Sequence, residues 1–132
     1  MIPLSQFAET AASHLDAART LIASENWSLA AYHCGYAIEI KLKVRAASRR
    51  GWTEFPSTGE EFRAEYRILR THDLDLLLEL SGVEKLVKAH HFTQWNVVAV
   101  WAPDQRYAPL GSVTEEHARQ MLAATERLAE II

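Results

Sequence analysis

Residues 27–51 read WSLAAYHCGYAIEIKLKVRAASRRG, a helical run from about Trp27 to Arg50 closed by Gly51 at the position expected of a C-cap. It is the longest helix the chain offers, so the remaining elements must pack around it. Gly35, in its middle, costs about 1 kcal/mol against alanine. That cost implies packing, the close approach of another backbone, or a neighbouring site.

Working outward, the apolar residues Phe7, Ala8, Ala11, Ala12, Leu15, Ala18, Leu21 and Ile22 recur at spacings of three and four, an amphipathic helix over Ser5 to about Ser24. On the other side GWTEFPSTGEEFR, residues 51–63, has Pro56, two glycines and no period, and reads as a mobile loop. Thr71 is placed as the N-cap of a short helix through Leu74, Leu77, Leu78 and Leu80 that Gly82 ends. A further helix is expected from Val83 to Trp101, stopped by Pro103. Its NVVAVW stretch alone also suits a strand, but no partner strand is visible. Ser112 or Thr114 caps a last helix through Ile132. Four long helices and a short one, with no sheet, predict an all-α single domain over residues 1–132. The expected architecture is an antiparallel up-and-down four-helix bundle with an additional short helix.

Composition bounds the rest. The chain has 132 residues, 48% of them hydrophobic and 23% charged, enough for a core without disulfides or a structural metal. The single cysteine, Cys34, excludes an intramolecular disulfide and fits a reducing cytoplasm. No window resembles a membrane span or a signal peptide, so a cytoplasmic protein without membrane association is expected. A net charge of −3 speaks against non-specific coating of nucleic acid. The charge is uneven, however: residues 41–72 carry a net +4, from Lys41, Lys43, Arg45, Arg49, Arg50, Arg63, Arg67 and Arg70. They form either a solvated helix end plus a charged loop or a phosphate-binding edge.

Three constellations have chemistry in reach. Tyr32, Tyr36, Glu39 and Lys43 share one face of the long helix, as a hydrogen-bonded cluster or as a surface stripe with a Glu-to-Lys pair. His72 beside Asp73, at the start of the short helix, is either a base held in one tautomer or part of an ordinary cap. Trp101, Arg106 and Tyr107 supply planar donors and aromatic faces, for gripping a phosphate and stacking a base or for tying the loop to a helix end. No metal site is expected, since adjacent His90 and His91 diverge on a helix and His14 and His117 stand alone. No HExxH, CxxC, Walker or GxSxG pattern occurs, and no cofactor is implied.

Taken in order, the Ala37-Glu39-Leu42-Lys43 core of the long helix, His72-Asp73-Leu74, the tryptophan-bearing helix and Arg106-Tyr107 resemble the HEPN family of small prokaryotic helical domains, over roughly residues 4–132. The resemblance implies a helical bundle, often dimeric, that binds a nucleotide or RNA. It also implies a possible nucleotidyltransferase partner in toxin–antitoxin pairs. Catalytic members of that family are metal-independent ribonucleases with an arginine and a histidine closely spaced near the start of the last core helix. Here ten residues separate Arg106 from His117. Only four residues separate Arg67 from His72, but this pair precedes the short third helix. The leading expectation is therefore a binding module that lacks the ribonuclease motif, with Tyr36, Glu39, Lys43, Arg67, Asp73, Trp101 and Tyr107 at the ligand and His72 and Arg106 as the catalytic pair if activity is present. A metal-independent ribonuclease toxin and a structural, substrate-binding subunit of a nucleotidyltransferase are the alternatives.

Overall fold

A computed structural model describes residues 1–132, and it is mostly helical. Three long helices, α1 (Leu4–Ala23), α2 (Trp27–Arg49) and α6 (Glu115–Ala129), surround a core that α2 runs through, with Ala31, Cys34, Ile38, Leu42 and Ala46 buried along it. Asn26 caps α2, its side chain accepting from Leu29 N. α1 folds back on α2 across the short Ser24–Asn26 turn. α6 runs parallel to α2: Trp27 meets Arg119 near their first turns, Cys34 lies beside Thr125 midway, and Arg45 Nη1 donates to the Ile132 carbonyl at the far end. Of the two expected caps for α6, Thr114 is the one used, its hydroxyl accepting from His117 N. No helix is long and apolar enough to cross a membrane.

The fourth long helix expected over 83–101 is absent. It is two pieces, α4 (Glu84–His90) and α5 (Phe92–Val98), broken at His91, whose φ of −136° lies outside the helical range. Beyond the break α5 buries Trp95, whose Nε1 donates to Asp75 Oδ1 at 3.0 Å on α3 (Leu74–Ser81). This cross-helix bond and the burial of an indole outweigh the continuity of one helix.

Two further expectations fail. Asp73, not Thr71, caps α3: its carboxylate accepts from Leu76 N, while Thr71 Oγ1 accepts from Asp73 N one step earlier. A small sheet also exists, β1 (Ile2–Pro3) pairing antiparallel with β2 (Glu54–Phe55). It fastens the segment read as a mobile loop. Phe55 is buried and stacks on Phe7 at 4.5 Å, Phe62 packs edge-on to Phe55, and Glu61 accepts from the Ser57 and Thr58 amides. A 3-10 turn over Ala64–Leu69 then leads to His72 and α3.

Gly35 has a specific partner. A Cβ there would lie 2.1 Å from Cγ and Cδ2 of Trp101, so the indole rests directly on the α2 backbone. The close approach is by a side chain rather than a second backbone. Trp101 in turn roots the segment between α5 and α6, including a 3-10 turn over Pro103–Tyr107.

Candidate functional site

The face of α2 bearing Tyr32, Tyr36, Glu39 and Lys43 is not a surface stripe. Glu39 and Lys43 are buried, 2% and 7% exposed, and Lys43 Nζ donates to Glu39 Oε1 at 2.7 Å. Ionic groups this deep persist only when paired. The remaining capacity of Glu39 goes to His72, whose Nδ1 lies 3.0 Å from both carboxylate oxygens. An ionised carboxylate only accepts, so Nδ1 carries the proton and donates it to Glu39. That leaves Nε2 free, on a side chain that is 58% exposed. The group orienting His72 is thus Glu39, thirty-three residues away in sequence, and not the adjacent Asp73. Asp73 spends its carboxylate on the α3 cap.

About one turn before Glu39 on the same face, Tyr36 sits between three aromatic neighbours. Its ring is 5.1 Å from Trp101 and 5.0 Å from Tyr32, both edge-on, and stacks on His14 at 5.4 Å. Burial, the Tyr32 hydroxyl and the Glu39 charge push the Tyr36 phenol up to about 12, against the opposing pull of Arg106. Tyr36 therefore stays neutral and can donate a hydrogen bond at any ordinary pH. Arg106 arrives from the 3-10 turn after α5. The Tyr32 and Tyr107 hydroxyls beside it raise its pKa, and its Cζ lies 4.7 Å from the centre of the Tyr107 ring. Tyr107 is 75% exposed, an open face backed by a guanidinium.

Other expected site residues stand elsewhere or in other roles. Trp101 is 4% exposed, so its faces are taken by packing, and its Nε1 has no partner. Lys43 is committed to Glu39. Arg67 is exposed on the 3-10 turn before His72, in a hollow with Arg50 and Trp52, and no hydrogen bond or ion pair joins it to His72.

One further pair joins residues that stand apart in the sequence. His14 of α1 and His33 of α2 meet with Nδ1 atoms 2.8 Å apart, against Tyr36 and Tyr32. Burial lowers both pKa values, and for His14 the neighbouring His33 adds to it. The signal was available: the two residues lie at similar distances from the Ser24–Asn26 turn, and a helical hairpin brings such positions to one level. No group of three or more histidine, cysteine or acidic side chains is placed to hold a metal ion. No family model, curated protein or solved structure matches the chain.

Proposed function

We propose that this chain is a HEPN-like module that binds a nucleotide or a short stretch of RNA along the Tyr32–Glu39 face of α2. The observation that carries the reading is the pairing of two unlike ends on one face. At one end is an exposed imidazole whose orientation is fixed by a buried carboxylate. At the other is an exposed tyrosine ring with a guanidinium against it. An aromatic face with an arginine accepts a base by stacking and a phosphate by charge-assisted hydrogen bonds. Tyr36, held neutral, and His72 Nε2 supply hydrogen bonds to the sugar–phosphate between.

Distance ranks binding above catalysis. Metal-free RNA cleavage needs a base on the ribose 2′-hydroxyl and a cation on the same phosphate. The Arg106 end lies at the level of Tyr32 and the His72 end at that of Glu39, about 10 Å of helix rise apart. That span suits a ligand with two recognition points better than one reacting phosphate. The metal-independent ribonuclease remains the second reading, favoured by the carboxylate-held His72 with its free Nε2. A homodimer or a nucleotidyltransferase-type partner, implied by the resemblance, would supply the missing cation.

The test is a titration of labelled RNA and of nucleotides against the wild type, Tyr107→Ala and Arg106→Ala, alongside an RNA pool incubated in EDTA with wild type and His72→Ala. Binding weakened at least tenfold in both loop variants, without cleavage, is expected. Undiminished binding in both refutes the reading, and cleavage that disappears in His72→Ala replaces it with the ribonuclease. Light scattering on the same samples reads the dimer.

A further inference from the structure

The basic residues of 41–72 do not collect at the face just described. Lys43 is the one among them that pairs with an acidic side chain. Lys41, Arg45 and Arg49 instead follow one another at i, i+4 and i+8 along the opposite side of α2, with Ser48 between them. Two hollows border this row and share Arg45 and Ser48. One is completed by Ala8, Lys41, Val44 and Ile132, the other by Arg49 and the Ser81–Val83 corner after α3. The two hollows adjoin at Arg45 and Ser48 and together make a groove-like strip, and no acidic side chain lines either part. In a chain of net charge −3, that is a concentrated positive field.

Details of the groove bear on its ligand. Gly82, at φ +83°, ends α3 and lets the Arg49 guanidinium lie over it, since a Cβ there would fall 3.0 Å from Nη1. Arg45 Nη1 donates to the Ile132 carbonyl, which fixes that side chain across the junction of the two hollows. Successive cations stand about 6 Å apart along the helix, a step comparable to the separation of neighbouring phosphates in a nucleic-acid strand. Guanidinium forks suit phosphate oxygens, and the Ser48 hydroxyl adds a donor.

From these observations we infer that the Lys41–Arg45–Arg49 groove is a second binding site, a track for the phosphodiester backbone of a single-stranded nucleic acid, on the side of α2 opposite the His72–Tyr107 face. The linear row, with a hollow on either side of Arg45, favours a strand over a flat lipid surface. The track contacts phosphates alone, so it contributes affinity without base preference.

The experiment follows the binding of a labelled mixed-sequence single-stranded RNA by fluorescence anisotropy over a series of salt concentrations. The proteins are wild type, Lys41→Gln, Arg49→Gln, the double variant, and Tyr107→Ala and His72→Ala. Lys41 and Arg49 are chosen because Arg45 also holds Ile132, beyond α6. Each neutralised cation should flatten the slope of log affinity against log salt by about 0.7, and the double variant by about 1.4. The Tyr107 and His72 variants should leave the slope unchanged. An unchanged slope in the double variant, absence of RNA binding by the wild type, or binding to phosphatidylserine vesicles in place of RNA overturns the proposal. The two sites are separable: loss confined to the Tyr107 and His72 variants removes the track and keeps the other face, and the reverse pattern does the opposite. Melting curves of all variants confirm that each is folded.

Discussion

Replacing Gly35 by alanine should destabilise the protein even though alanine is the better helix former. The new methyl would sit 2.1–2.2 Å from Cγ, Cδ2 and Cδ1 of Trp101, where carbon atoms ordinarily approach to about 3.5–4.0 Å. The indole must therefore retreat by about 1.5 Å. Tyr36 and Tyr32 stand against it and it is almost wholly buried, so room for that retreat is scarce. Overpacking of this kind costs about 1–3 kcal/mol, and the crowding here places it at the upper end. The gain in helix propensity returns about 1 kcal/mol. The net loss is thus about 2 kcal/mol, read as a lower midpoint of urea unfolding by far-ultraviolet circular dichroism. The decisive arm repeats the substitution in Trp101→Ala. With the indole gone the propensity term stands alone, and Gly35→Ala should become stabilising by about 1 kcal/mol. A change of sign between the two backgrounds is the expected outcome. A neutral or stabilising effect in the wild-type background, or an equal loss in both, would refute the reasoning.

Other substitutions test other parts of the structure. Lys43→Met should cost about 3 kcal/mol in the same unfolding assay, the low end for a broken buried pair because it removes the cation of Glu39 but leaves the His72 hydrogen bond, whereas Arg127→Ala, which breaks an exposed pair with Glu130, should cost under about 1 kcal/mol; similar losses for both would contradict the burial argument. Cys34 is buried and its thiol is pushed up to about 11, chiefly by desolvation, so a disulfide reagent at mildly alkaline pH should label it only after denaturant is added. Rapid labelling of the native protein would mean that the core at α2 and α6 is open. His14 and His33 titrate below their ordinary 6.5 in the folded protein, so the unfolded chain binds more protons as pH falls past that value. The stability they contribute is complete above 6.5 and drains away on acidification towards their folded values. The urea midpoint should fall between neutral and mildly acidic pH, and fall less in His14→Gln; identical pH profiles would remove the pair from the account.

The long helices were legible because their periodicity is strong and their ends are marked. Asn26 and Thr114 cap α2 and α6, and Gly82 closes α3 at positive φ. The break at His91 left no mark, since a helical period continues through it and the interruption serves a tertiary bond from Trp95 to Asp75. A two-residue strand pair has no period to detect, which is why β1 and β2 were invisible. Within the site, the spacing of Tyr36, Glu39 and Lys43 announced a shared face, but an i, i+4 acid–base pair reads alike on a surface and in a core. Its depth is set by neighbours far along the chain. For the same reason the sequence offers Asp73, next door, as the orienting partner of His72, while the actual partner lies on another helix. His14 and His33 needed the hairpin to be folded before they were neighbours at all.

Trp101 has a kinetic consequence. It is the single fully buried residue of 99–114, the connection from α5 to α6; Asp104, Arg106, Tyr107 and Leu110 beyond it are exposed. Withdrawal of one indole from the Gly35 notch would free the connection as far as Val113, which packs on the core at its other end, while the long helices stay intact, a local opening far cheaper than global unfolding. Amide hydrogens over 102–112 should then exchange as one group, well ahead of those around Glu39. The two ends of the proposed ligand face would therefore sit on units that breathe on different timescales, with Arg106 and Tyr107 coming and going over a His72 that is held still.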